Sequence, residues 1–253
     1  MLDILNVPKN TQSIILDKDG TIIDAHHYWI EMSNLRIREV LNSLKISEST
    51  KKYLKNKLEK CFGIDNQNQR ISKHGPASVK PRNYMSKLML KNLLEEEIII
   101  KHEEVNEAFL RVDEISERTI SNFLTLLPGV ENFINESFAR GIDLCLVTND
   151  ITPRANLALK HLGLLDKFKY IFGQDKVSEP KPAKDLAELV VKSGNYSKEC
   201  IINIGDHPND MKMGTNAEIN QNYAVLTGLS GEDNFAGMSC NCFIDFTKIE
   251  FDD

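Results

Sequence analysis

Ser13-Ile14-Ile15-Leu16-Asp17-Lys18-Asp19-Gly20-Thr21 is the stretch on which the reading of this chain turns. An apolar, β-branched run of this kind reads as a buried strand of a parallel sheet. It ends in two carboxylates one residue apart. The strand delivers Asp17 and Asp19 to the carboxyl edge of the sheet, where open α/β sheets bind their ligands. Gly20 lets the chain turn sharply and approach a ligand closely. Neighbouring carboxylates repel, so a cation or a shared proton must stabilise them, and an all-oxygen donor set points to a hard metal ion. A calcium loop of the EF-hand type is excluded by spacing, because Gly20 follows Asp17 too soon.

Outward from this strand the chain divides by pattern. From Thr125 onward, strand and helix signals alternate. A helix runs through Arg140 and ends at Gly141. Ile142 to Thr148 is an apolar strand, followed by a helix from Pro153 to Leu162. Tyr170 to Phe172 is a short strand and Lys184 to Lys192 a helix. Ile201 to Gly205 is a further strand, and a helix from Pro208 to Ala217 follows it. Tyr223 to Leu226 and Phe243 to Phe246 complete the series. Such alternation predicts an α/β fold, a mostly parallel sheet with helices on both faces. Between the first strand and this region the periodicity is helical: Trp29 to Leu44, a basic helix from Lys51 to Phe62 capped by Ser47 or Ser49, Tyr84 to Leu94, and Val105 to Phe123. Gly63 to Pro81 is polar and rich in turn signals and reads as a loop. The expected organisation is a core of residues 1–23 and 124–253 with a helical insertion of residues 24–123, large enough to be a unit of its own.

The chain has 253 residues, a formal net charge of −6 and 41% hydrophobic residues. With no dominant basic field, general nucleic-acid binding is not expected. No apolar run reaches membrane-spanning length, and the first residues lack the basic and apolar regions of a signal peptide. The five cysteines are scattered, which fits a reduced, cytoplasmic setting. Cys240 and Cys242 lack the second pair that a structural zinc site needs. A monomer or homodimer is expected.

Four strand ends in the core carry or lead to polar groups. These are Asp17 and Asp19, then Thr148-Asn149-Asp150, then Lys181 in Glu179-Pro180-Lys181-Pro182, then Asp206 and Asp210 in Gly205-Asp206-His207-Pro208-Asn209-Asp210. A parallel sheet brings such ends to one edge. Carboxylates for a magnesium ion, donors for phosphate oxygens and a nucleophile make an inventory suited to phosphoryl transfer.

Here the sequence resembles the haloacid dehalogenase-like superfamily. Its D-x-D-G-T motif corresponds to Asp17-Lys18-Asp19-Gly20-Thr21, its strand-ending Thr or Ser to Thr148, its lysine in a K-P context to Lys181-Pro182, and its G-D-x-x-x-D to Gly205 through Asp210, all in the family's order. The resemblance covers roughly residues 10–24 and 125–247 and is nearest to phosphoglycolate-phosphatase-like hydrolases with a helical C1-type cap. It implies a Rossmann-like core, an inserted cap over residues 24–123 and a magnesium-dependent phosphatase acting on a small phosphorylated metabolite such as a phosphoglycolate-like, sugar or nucleotide phosphate. By the same resemblance Asp17 is the nucleophile and Asp19 the general acid and base. Gly20, Thr148, Asn149 and Lys181 hold the phosphoryl group. Asp17, the Asp19 carbonyl, Asp206 and Asp210 serve the magnesium ion. A sugar phosphomutase or a phosphonate hydrolase on the same scaffold is the alternative, and a non-catalytic binding module is disfavoured by the intact acid at position 19.

Three features depart from the family pattern. Lys18 stands where an apolar residue is usual, His207 where Ser or Thr is common, and His26-His27-Tyr28-Trp29 opens the insertion with unusual histidine and aromatic content. His26, His27 and Trp29 read as packing at a helix start, with a substrate pocket as the rival reading. Arg70, Lys73, Lys80 and Arg82 read as a solvated loop, or else as a specificity loop for an acidic substrate.

Overall fold

A computed structural model of the chain describes residues 4–72, 75–80 and 82–252; Lys73 lies outside them. In chain order the elements are β1 (Leu5–Val7), β2 (Ser13–Leu16), α1 (Ala25–Ser43), α2 (Glu48–Phe62), β3 (Ile64–Asp65), β4 (Arg70–Ile71), α3 (Pro76–Val79), α4 (Arg82–Glu95) and α5 (His102–Arg118). There follow α6 (Val130–Ala139), β5 (Asp143–Thr148), α7 (Thr152–His161), β6 (Phe168–Gly173), α8 (Asp185–Gly194), β7 (Ile201–Gly205), α9 (Pro208–Asn216), β8 (Gln221–Val225), β9 (Asn241–Phe243) and β10 (Ile249–Phe251). They form two compact units: Met1–Ala25 with Leu124–Asp253, and His26–Phe123.

The first unit is built on a six-stranded sheet of order β6-β5-β2-β7-β8-β9, parallel at every pairing. β2 is central, with Leu16 in register with Leu146 of β5 and Ile204 of β7. The chain builds outward from β2 through β5 and β6, then crosses back to β7, β8 and β9. The strand order therefore reverses beside β2, and the carboxyl end of such a switch point is where a crevice opens. All four residues of β2 and all five of β7 are buried, as expected of strands covered on both faces.

The packing fixes the register. Ile15, Cys145, Val147 and Ile201 of the sheet join Leu186, Ala187 and Val190 of α8 and Met213 of α9 in one apolar cluster. Each such side chain contributes about 1.5–3 kcal/mol on burial. A one-residue slip of β2 would turn Ile15 out of that cluster, so burial of the strand also sets where its two terminal carboxylates emerge. Cys145 packs as a small core residue, and burial pushes its thiol up to about 12.

The second unit is helical. Leu54, Leu58 and Phe62 of α2, Met85, Met89 and Leu93 of α4, and Val105, Phe109 and Val112 of α5 are buried at helical spacing. The Ser47 hydroxyl accepts from the Thr50 backbone N–H at 3.1 Å and caps α2. The predicted loop from Gly63 instead contains the β3–β4 hairpin and α3, elements too short to show periodicity. His26 is buried and Nδ1 accepts from the Ile71 backbone N–H at 3.1 Å, so it anchors that hairpin. Arg82 Nη1 pairs with Asp113 at 2.6 Å, and Lys80 Nζ lies 5.5 Å from the Tyr84 ring centroid.

Two further elements escaped the sequence pattern. β1 and β10 are three residues each, and their parallel pairing joins the two ends of the first unit. The predicted last strand, Phe243 to Phe246, is displaced: β9 ends at Phe243, and Phe246 packs on Phe133 with ring centroids 4.9 Å apart. Among the described residues no helix is long and apolar enough to cross a membrane.

Candidate active site

Asp17 leaves β2 still held to the sheet, its backbone N–H donating to Ile204 O at 3.0 Å. Lys181 meets it from the loop after β6. The Lys181 ammonium donates to Asp17 Oδ1 at 2.6 Å and to Asp210 Oδ1 at 2.8 Å. Asn149, just beyond β5, fixes the lysine's backbone from both sides: Lys181 N–H donates to Asn149 Oδ1 at 3.0 Å, and Asn149 Nδ2 donates to Lys181 O at 3.1 Å. The sequence placed Asn149 among the phosphate-binding groups, but its side chain is committed at both ends to holding Lys181.

Asp210 has two duties. Besides Lys181, it accepts the His207 backbone N–H on Oδ2 at 3.0 Å. His207 Nδ1 in turn accepts the Asn209 backbone N–H at 3.1 Å, which completes a reciprocal cap on α9. His207 is thus a helix cap, a role open to Ser and Thr as well.

Asp206 sits where only glycines leave it room. A Cβ on Gly20 would lie 2.4 Å from Asp206 Oδ2, and one on Gly228 would lie 1.8 Å away. Gly20 also has φ of +91°, a conformation that disfavours any side chain. The Thr227 hydroxyl donates to Gly20 O at 2.7 Å. The segment from Thr227 to Leu229 was not singled out in the sequence. Its signal was available: Thr-Gly directly after a strand that ends on the same sheet edge.

The charges of this group do not balance. Asp17, Asp206 and Asp210 each bring a carboxylate oxygen to within 4.8 Å of the other two, against a single ammonium. Burial, opposed by Lys181, pushes Asp17 above its ordinary value. Burial and the repulsion of Asp17 and Asp210 push Asp206 well above its own. For Lys181, burial favours the neutral amine, but Asp17 and Asp210 overcome it and hold the ammonium firmly charged. Clustered, desolvated carboxylate oxygens in excess over nearby cations fit a hard divalent ion such as magnesium. Asp17, Asp206 and Asp210 each offer a carboxylate oxygen to such an ion.

A second group lies towards β5. Lys18 is 3% exposed. Its ammonium lies 3.0 Å from Asp19 Oδ2 and 3.1 Å from Asp150 Oδ2. Asp19 Oδ1 is buried and has no hydrogen-bond partner among the described residues. Burial raises the Asp19 carboxyl above its ordinary value, with Lys18 pulling the other way. Thr148, the last residue of β5, is buried, and its hydroxyl accepts the Asp150 backbone N–H at 3.1 Å. The structure therefore joins Asp17, Lys181 and Asp210 directly, sets Asp206 and Gly20 beside them, and places Asp19 on the same β2 exit as Asp17 and Thr148 at the end of the adjacent β5.

Fold and site together define a class, and residues 14–224 match the family of haloacid dehalogenase-like hydrolases. The chain belongs to that family. Among curated proteins it is similar to phosphoglycolate phosphatase of Yersinia pseudotuberculosis, with 33% identity over 96 residues, 37% of this chain and 40% of that enzyme. The match thus spans less than half the length of this relative. Over nearly its whole length the chain is similar in fold to a HAD-superfamily hydrolase, subfamily IA, from Geobacter sulfurreducens, with a TM-score of 0.66, 14% identity, and coverage of 94% of this chain and 93% of that one. It is also similar to CbbY from Rhodobacter sphaeroides, solved in complex with phosphate, with a TM-score of 0.59, 16% identity, and coverage of 94% and 96%.

Proposed function

We propose that this protein is a magnesium-dependent phosphatase that hydrolyses a small phosphomonoester, with phosphoglycolate-like, sugar and nucleotide phosphates as the candidate class. The observation that carries the reading is the Lys181 ammonium bridging Asp17 and Asp210 beside Asp206 at the tip of the central strand. A nucleophilic carboxylate, a fixed cation and spare carboxylates for a metal converge there.

Asp17 attacks phosphorus through a carboxylate oxygen. A bond forms between that oxygen and phosphorus while the ester P–O bond breaks, its electron pair going to the leaving oxygen. The Asp19 carboxyl gives that oxygen its proton and releases a free alcohol. Water then attacks the aspartyl-phosphate, Asp19 takes the water's proton, and the P–O bond to Asp17 breaks to restore the Asp17 carboxylate and the Asp19 carboxyl and release phosphate. Burial moves the Asp19 carboxyl in the direction a general acid needs, against the pull of Lys18. Lys181 and Thr148 serve the equatorial phosphoryl oxygens, whose charge must be compensated more than their bonding altered. Asp17, Asp206 and the Asp19 carbonyl would hold magnesium, which supplies further charge compensation at phosphorus when bound.

The test is phosphate release from a panel of small phosphomonoesters with magnesium, comparing the native chain with Asp17→Asn. Release that depends on Asp17 is expected. Equal turnover in both proteins would overturn the reading, and transfer of the phosphoryl group to a sugar hydroxyl in place of water would convert it to a mutase.

A further inference from the structure

We propose that Lys18 is a positioning residue for Asp19, and that it works through an ion-pair relay anchored on Asp150. The inference rests on the phosphatase reading above and deepens it.

A lysine buried to 3% exposure is unusual, because an ammonium gives up its hydration unless carboxylates replace it. Lys18 has two such partners, Asp19 Oδ2 at 3.0 Å and Asp150 Oδ2 at 3.1 Å. Asp150 is itself immobilised. Its Oδ1 accepts the Ile151 backbone N–H at 2.8 Å, its own N–H donates to the Thr148 hydroxyl at 3.1 Å, and Arg154 Nε stands 3.6 Å from Oδ2. The position of the β5 exit is thereby passed through Asp150 and Lys18 to one oxygen of Asp19. The other oxygen, Oδ1, is buried without a hydrogen-bond partner among the described residues, so the Lys18 contact at Oδ2 is what fixes the orientation of this carboxyl. A general acid acts only from hydrogen-bond reach of the leaving oxygen, and its orientation is part of its rate. An apolar residue at position 18 could fill the space but could not grip Asp19.

A merely structural tie between two strand exits would act on every substrate alike. In phosphorylation of Asp17 a positioning role acts only where the leaving oxygen needs a proton, and kcat/KM isolates that step from the later hydrolysis of the aspartyl-phosphate, in which Asp19 serves every substrate. The experiment uses the full chain with magnesium, as native protein, Lys18→Met, Lys18→Arg and Asp150→Asn. It compares p-nitrophenyl phosphate, whose leaving anion is stable unprotonated, with glycerol phosphate, whose alkoxide is not. Lys18→Met is expected to lower kcat/KM on glycerol phosphate by roughly 10- to 100-fold, with kcat/KM on p-nitrophenyl phosphate held within about 3-fold. Lys18→Arg should restore most of the loss. Asp150→Asn should repeat the pattern more weakly, and it carries the test if Lys18→Met does not fold. Equal losses on both esters, or no loss on either in folded variants, would overturn the positioning role while leaving the phosphatase reading intact. Native protein that hydrolyses neither ester, or activity that survives Asp17→Asn, would remove the phosphatase reading and this proposal with it.

Discussion

Two charged groups flank the end of β2, each built around a buried lysine, and they are balanced differently. On the β7 side Lys181 faces Asp17, Asp206 and Asp210, and three carboxylates exceed one ammonium. On the β5 side Lys18 and Arg154 face Asp19 and Asp150, so charges match in number. The same short stretch of chain supplies both groups through alternate residues. Arg154, Asp150 and Asp19 of the second group keep contact with solvent, whereas the first group carries an excess of clustered carboxylates that a divalent cation would relieve.

The largest effect should come from deepening the imbalance. Lys181→Met leaves three clustered carboxylates, Asp206 and Asp210 of them buried, with no ammonium, and in magnesium-free solution it should cost about 3–5 kcal/mol in denaturant unfolding. An unchanged midpoint would break the contrast.

Relieving the imbalance should have the opposite sign. Asp206→Asn should raise the melting temperature of the metal-free protein at neutral pH, by about 2–4 °C for each kcal/mol of repulsion removed. Magnesium should raise the melting temperature of the native chain, and Asp206→Asn should abolish that rise. The pH dependence follows from the same carboxyl. Asp206 is pushed above its ordinary 3.8, so between 3.8 and its raised value the folded protein binds a proton that the unfolded chain has lost. Its contribution to stability is therefore fully present below 3.8 and is lost as pH rises through the raised value. Metal-free native protein should accordingly gain stability from this group as pH falls from neutrality, and Asp206→Asn should flatten that slope in thermal melts.

The smallest effect should come from the support of the first group. Asn149→Ala removes both hydrogen bonds that frame the Lys181 backbone, at a cost of about 1–3 kcal/mol. The fold should survive by circular dichroism, and kcat/KM on a phosphomonoester should fall roughly 10-fold as Lys181 loses its placement.

Much of this arrangement was legible before any coordinates. Asp17, Lys181, Asp206 and Asp210 each lie on or just beyond a strand exit, and a parallel sheet gathers such exits on one edge. The residues that hold them were not legible. Lysine in a sequence reads as exposed, and the partner that buries Lys18, Asp150, is remote in the chain. Asn149 looked like a ligand-binding amide because its position was visible and its partner was not. Gly228 became informative only once a Cβ there could be seen to strike Asp206. β1 and β10 escaped because three-residue strands carry no periodicity.

The sequence by itself determined the alternation of strand and helix, the helical insertion and the chemical identity of the strand-end groups, because hydrophobic period and turn residues are local properties. Only the tertiary structure decided which carboxylate meets which lysine. Ion pairing and desolvation depend on distances between residues that the chain itself does not bring together. The roles of the two acids of Asp17-Lys18-Asp19 could be expected from the chain, but only folding gave Asp17 to Lys181 and Asp19 to Lys18.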